Sequence, residues 1–378
     1  MDLINPPPPL DPRTNKPFTA KALRLYQYKA AKKLAKLSTR AESHSAALSS
    51  TLSLLASLPP SFPSASTLSQ PHYSYPTLPA VHFPPSISVP LVSRLLSRSP
   101  EYNRKNSPQE LSLLHQLRLL SSSLPSSFQV LDIGGGNGNL ASLAALLLNC
   151  PVTIVERDAH PVTLEHERSL PPSVRSLVTR VQADIAAFSL PPDSPPTLLL
   201  AKHLCGFGSD AAIKFAARER AVVGCVVATC CLCKIAEPGM PAAFADMYSL
   251  PEEEGGATIV EKLARVTSWR AGEKSESSVI TEPMVKAAER VEDVYSALRR
   301  DKLQGRFESV KEITFVEDCD EGGGSQQNRC LVAGGQAAER EGEKEEFLEF
   351  VEAQIARFEA DPSLDLPFDF RGPVARAE

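Results

Sequence analysis

Little in this 378-residue chain points to a membrane, a secreted scaffold or a polycation. No run reaches the roughly 18 consecutive apolar residues that a membrane span needs. The start, Met1-Asp2-Leu3-Ile4-Asn5 followed by four prolines, lacks the apolar core of a signal peptide and the Arg-rich, acid-poor face of a transit peptide. Formal net charge is −5, so any hold on a polyanion must come from a local patch rather than from the whole molecule. No cysteine precedes Cys150, which leaves the N-terminal third without the cysteine ligands of a metal finger. The eight that follow are Cys150, Cys205, Cys225, Cys230, Cys231, Cys233, Cys319 and Cys330. Without a secretion signal they read as reduced thiols rather than a disulfide framework. The expectation is a soluble intracellular protein, cytoplasmic and/or nuclear.

What is present divides the chain into four. Hydrophobic content of 42% and charged content of 22% are globular values. The 33 prolines are crowded and uneven. Residues 1–40 hold nine Lys or Arg against two Asp. From Phe18 to Leu37, Leu23, Tyr26, Ala30, Leu34 and Leu37 recur at helical steps, with Lys21, Arg24, Lys29, Lys32, Lys33 and Lys36 around them. That spacing predicts a basic helix, either a solvated surface helix docked by its apolar stripe or an arm that contacts phosphates. Residues 41–106 are rich in Ser and Pro and predict a mostly extended linker, with a short helix near Ala46–Ala56. Residues 107–335 read as one domain. The acidic stretch 336–378 carries Phe347, Phe350, Val351, Ile355 and Phe358 on one helical face and is expected to pack on the body.

Within 107–335, apolar runs alternate with helical patterns. Strands are predicted at 129–133, 152–155, 179–182, 198–201 and 221–229, and helices at 139–148, 162–169 and 210–220. A helix over 283–303 and two late strands, 310–316 and 329–332, follow; the charged stretch 252–278 reads as a loop or insertion. Strands apolar on both faces and separated by helices indicate a mostly parallel, seven-stranded sheet in an α/β fold, ending in an antiparallel hairpin.

The strongest local signal is Val130-Leu131-Asp132-Ile133-Gly134-Gly135-Gly136-Asn137-Gly138-Asn139. Glycine admits positive φ and lets backbone approach a ligand. A dinucleotide site would want G-x-G-x-x-G; here the spacing is G-x-G-x-G. That resembles the first motif of the class I S-adenosylmethionine-dependent methyltransferases, which have a Rossmann-like fold. The resemblance implies that Gly134, Gly136, Gly138 and Asn139 wrap the cofactor, with Asp132 near its methionine ammonium. Glu156, eighteen residues after Gly138 at the end of the next strand, suits both ribose hydroxyls. Asp184 ends the strand after that and suits the adenine amino group.

The fourth strand delivers Lys202-His203-Leu204-Cys205-Gly206 to the sheet edge where ligands of such folds bind. Two nitrogen bases side by side suit removal of a proton from a hydroxyl, and Lys202 and His203 are the candidate catalytic residues. With Ser209-Asp210, Val155-Glu156-Arg157 and the Cys230-Cys231 turn, this loop resembles the signature of the eukaryotic tRNA 2′-O-methyltransferases of acceptor-stem nucleotide 4. The resemblance spans roughly residues 108–335. It implies a ribose hydroxyl of tRNA as acceptor, S-adenosyl-L-methionine as cofactor, and Cys205 at the cofactor pocket. Two departures stand out. The family's Cys-Cys-His-His-x-Cys turn is here Cys230-Cys231-Leu232-Cys233, and its N-terminal zinc fingers are missing. The cysteine spacing offers no pair of metal-ligand pairs, so no metal is expected and the thiols are read as lining the pocket. Alternatives stay open: a protein or small-molecule methyltransferase, or a non-catalytic scaffold of the same fold.

Overall fold

The computed structural model describes residues 42–63, 83–158, 170–202, 204–229, 231–269, 280–314, 329–335, 342–361 and 368–369. The predicted basic helix 18–37, the helix at 162–169, His203, Cys230 and the turn between the last two strands lie outside these. Helix α1 covers residues 42–56, and α2 (Pro85–Leu95) and α3 (Pro100–Ser121) lead into the sheet. Strand β1 (Gln129–Ile133), α4 (Asn139–Leu148), β2 (Val152–Glu156), β3 (Val178–Gln182), β4 (Thr197–Ala201), α5 (Phe207–Arg218) and β5 (Val222–Thr229) form the parallel half. Then come α6 (Met240–Met247), α7 (Gly256–Val266), α8 (Glu282–Gln304), β6 (Ser309–Thr314), β7 (Arg329–Gly334) and α9 (Glu343–Glu359).

The seven strands lie in the order β3-β2-β1-β4-β5-β7-β6. The first five are parallel, and β7 is antiparallel to both β5 and β6. Strand parity sorts the side chains. Val130, Leu198, Leu200 and Val226 face one layer, packed with α2, α3, α4 and α9. Leu131, Ile133, Leu199, Ala201 and Val227 face the other layer, beneath α5. A third cluster joins α6, α7 and α8, with Leu48, Leu54 and Leu55 of α1 against it. Among the described residues no helix is long and apolar enough to cross a membrane.

The short helix expected near Ala46–Ala56 is α1, but the stretch 85–106, expected to be extended, is instead largely helical. Helix α2 contains Pro90 and α3 contains Pro108. An internal proline costs a helix about 3 kcal/mol, whereas each buried Leu or Val returns roughly 1.5–3 kcal/mol. Helix α2 buries Leu91, Val92 and Leu95, and α3 buries Leu111, Leu113, Leu114, Leu117 and Leu120. Tertiary burial therefore outweighs the local preference. Leu111, Leu114, Leu117 and Leu120 at helical spacing predict a helix starting at Ser107-Pro108; α3 starts earlier, at Pro100, where Ser99 caps it by accepting the Tyr102 amide N–H at 3.2 Å.

The stretch expected as a loop over 252–278 contains α7. Its Ile259, Val260, Leu263 and Ala264 make a buried stripe, and Glu261, Lys262 and Arg265 occupy the wet side. The C-terminal expectation holds: Phe347, Val351, Ile355 and Phe358 of α9 are buried on the body.

Candidate active site

The parallel strands end together at one edge, and β1 passes there into the glycine turn. Gly134, Gly136 and Gly138 all have positive φ, at 66°, 53° and 79°. A Cβ on Gly135 would lie 2.5 Å from the Asp132 carboxylate, so the turn closes directly over that group. Glu156, at the end of β2, receives the Gly136 amide N–H at 3.2 Å and the Asp158 N–H at 3.3 Å. Asp184 receives the Ala186 N–H at 2.8 Å.

These groups border a cleft of about 630 Å³ whose walls include Gly134, Glu156, Asp184, Leu204, Cys205 and Gly206. Four predicted residues thus meet in one cavity: Gly134, Glu156, Asp184 and Cys205. Of the other thiols, Cys150, Cys225 and Cys330 are buried within the apolar layers of the sheet rather than at this cleft.

Asp132 and Lys202 lie on the layer that α3 and α4 cover, because they continue the parity of Val130 and of Leu198 and Leu200. Asp132 is 1% exposed, and its Oδ2 has no hydrogen-bond partner among the described residues. Burial pushes its carboxyl up to about 7. The Arg180 and Lys202 charges oppose that shift, and Glu156 adds to it. Arg180 is aligned with Ile154, which is aligned with Asp132, so the cation and the acid share one face across three strands.

Lys202 Nζ donates to Asn106 Oδ1 at 3.2 Å and lies 3.8 Å from Glu110 Oε1. Its burial lowers the amine below the ordinary lysine range, against the pull of Glu110. Glu110 also receives both Arg98 nitrogens, at 3.0 and 2.8 Å, with both side chains 1% exposed. Tyr102, Asn106 and Glu110 stand four residues apart, so one stripe of α3 serves this whole edge. Asn139, the first residue of α4, donates to the Tyr102 hydroxyl at 3.1 Å and to Asn137 Oδ1 at 3.0 Å.

Sequence reasoning missed Arg98, Tyr102, Asn106, Glu110 and Arg180. A Ser-Pro helix start followed by polar residues every fourth position was the available signal for the α3 group. Ser209 and Asp210, part of the family resemblance, turn out to hold the scaffold. Ser209 Oγ donates to the Leu204 carbonyl at 2.6 Å, and Asp210 takes two 2.7 Å bonds from Arg299 of α8 and one of 2.8 Å from Tyr248.

Orphaned buried acceptors at Asp132 Oδ2 and Asn139 Oδ1, carboxylates at Glu156 and Asp184 along the cleft, and a backbone opened by glycine make a donor and acceptor set suited to an adenosine bearing a cationic amine. A family model described as a methyltransferase domain matches residues 111–238. Among solved structures, the CcbJ methyltransferase of Streptomyces caelestis is 21% identical, covering 35% of this chain and 52% of that chain with a TM-score of 0.26. The glycopeptide N-methyltransferase MtfA complexed with S-adenosyl-L-methionine is 19% identical, covering 32% of this chain and 52% of that one with a TM-score of 0.26. The methyltransferase domain of bacterial CtHen1 is 16% identical, covering 60% and 98% of the two chains with a TM-score of 0.29. The chain spans about half the length of the first two of these. No curated protein matches the sequence. The family match, the strand order and the glycine turn together make residues 111–238 a methyltransferase-like domain, and the residues of its cleft fit S-adenosylmethionine as a cofactor.

Proposed function

We propose that this domain methylates a ribose 2′-hydroxyl of tRNA. The observation that carries the reading is the loop from Lys202 to Gly206, whose Leu204, Cys205 and Gly206 line the cofactor cleft. When bound, the cofactor supplies an electrophilic methyl group on a cationic sulfur. Lys202 accepts the proton of the attacking hydroxyl. Burial favours its uncharged amine beforehand, and Glu110 and Asn106 receive the ammonium that forms. His203 is the other proton acceptor in the loop. Glu156 accepts from the cofactor's ribose hydroxyls and Asp184 from its adenine amino group. Positioning of the hydroxyl in line with the methyl group supplies much of the rate. Lys21, Arg24, Lys29, Lys32, Lys33 and Lys36 supply contacts to RNA phosphates.

Net charge of −5 favours a second reading, a protein or small-molecule acceptor. Tritiated-methyl transfer separates the two when total tRNA, proteins and small metabolites are offered in parallel. Label in tRNA, resistant to alkaline cleavage at the modified ribose and falling steeply between low and physiological salt, supports the proposal. Label confined to protein or metabolites overturns it. Within the tRNA reading, the Lys202→Ala/His203→Ala double variant should lose transfer while still binding S-adenosylhomocysteine. Retained turnover would remove both from the proton-transfer step.

A further inference from the structure

The stripe on α3 that reaches the glycine turn has one member left without a role by the reading above. That member is the first, Tyr102, half-buried beside the start of α4. The Tyr102 hydroxyl oxygen accepts from Asn139 Nδ2 at 3.1 Å, so its own proton remains available to donate. Asn139 is 5% exposed, and both its amide hydrogens are spent, on Tyr102 and on Asn137. Its Oδ1 is buried and accepts no hydrogen bond from the described residues. Asp132 Oδ2, at the other end of the same turn, is in the same condition. Two buried acceptors without donors are expensive in isolation, and with a hydroxyl donor beside one of them they match a group that carries an ammonium and a carboxylate together.

Resting on the cofactor reading, we propose that Tyr102 is a specificity-determining residue that donates to the α-carboxylate of the cofactor's amino-acid end, while Asn139 Oδ1 and Asp132 Oδ2 take its ammonium. The Arg98 guanidinium lies 4.8 Å from the centre of the Tyr102 ring and, through its bonds to Asn103, Ser107 and Glu110, fixes that ring on α3. Burial, with Glu110 as a lesser cause, raises the phenol above its ordinary value, so it keeps its proton at neutral pH. Because Asn106 and Glu110 of the same helix hold Lys202, a ligand grasped by Tyr102 steadies the element that positions the chemistry loop.

Two probes isolate this contact. S-adenosylhomocysteine carries the amino-acid end, and 5′-methylthioadenosine lacks it. In calorimetric titration the wild type should bind the first far more tightly. Tyr102→Phe keeps the ring under Arg98 and removes only the hydroxyl, so it should weaken S-adenosylhomocysteine about tenfold, the worth of one charge-assisted hydrogen bond, and leave 5′-methylthioadenosine unchanged. Asn139→Ala should show the same selectivity, and a melting temperature for each variant verifies its fold. Equal affinity of Tyr102→Phe and wild type for S-adenosylhomocysteine overturns the proposal alone. So does an equal loss for both ligands, which would mark Tyr102 as structural. Wild-type protein that binds neither ligand overturns the proposal together with the cofactor reading beneath it.

Discussion

At Gly134 and Gly136 the same left-handed backbone has different surroundings, and substitutions there should separate folding from binding. A Cβ on Gly134 would run into the Leu204 side chain, whereas none of the described residues lies within 4 Å of one on Gly136. Gly136→Arg therefore meets only the conformational penalty of about 1–2 kcal/mol for a side chain at positive φ. It should fold, melt a few degrees lower, and lose S-adenosylhomocysteine binding because a long side chain occupies the turn. Gly134→Val adds overlap with Leu204 to the same penalty and should be the less stable of the two by thermal melting. Normal ligand binding by Gly136→Arg would show that the turn does not face the cofactor.

Helix α3 is held by charge as well as by leucine, and the two kinds of ion pair on this side of the molecule should differ sharply. Glu110 is buried against Arg98 and Lys202, so Glu110→Ala leaves the buried Arg98 guanidinium without its counter-charge and should cost about 3–5 kcal/mol in urea denaturation. Arg94 bridges Glu352 and Glu359 of α9 at 2.6 and 2.7 Å, but on an exposed face. Arg94→Ala should cost no more than about 1 kcal/mol. A similar cost for both would mean that the buried network contributes little. The same helix also marks the limit of what was legible. The strands of the parallel half, α4 and the antiparallel end of the sheet were readable because their apolar runs are buried on two faces and bounded by turns. The glycine turn and its acids were readable because spacing along one chain encodes them. The second half of α3 was readable from the Ser107-Pro108 helix start and its leucine spacing, whereas residues 100–106 were obscured within a Ser/Pro-rich stretch, and burial against the sheet, a long-range property, decides there. Missed with them were the roles of Tyr102, Asn106 and Glu110, whose partners are distant in sequence. Asp184 and Cys205 lie beside the cleft, and Lys202 was not foreseen to be turned toward α3.

Over the whole molecule, buried titratable groups set a pH dependence of stability that single variants can take apart. Asp132 keeps a proton in the folded chain up to about pH 7, though the unfolded chain releases it near 3.8. Its contribution is full below the lower value and is lost as pH rises toward 7. Glu312, buried beside Ser296 and Arg300, behaves alike, with its carboxyl pushed up to about 7. His115 has the opposite sign. Packed between Phe83 and Phe347 under α9, its ring is driven by burial from 6.5 down to about 4. Its contribution is full above 6.5 and is lost as pH falls. Between roughly pH 4.5 and 6.5 the folded chain thus holds two of these protons and the unfolded chain one. Each unbalanced proton tilts stability by about 1.4 kcal/mol per pH unit, so among these groups stability should fall as pH rises through that window. Asp132→Asn removes one folded-state proton and should flatten the slope, whereas His115→Gln removes the opposing one and should roughly double it. Urea denaturation at pH 5 and 6.5 measures all three slopes. Equal slopes would mean that Asp132 and His115 are solvated in the folded protein, contrary to the burial that shapes both the cofactor turn and the seat of α9.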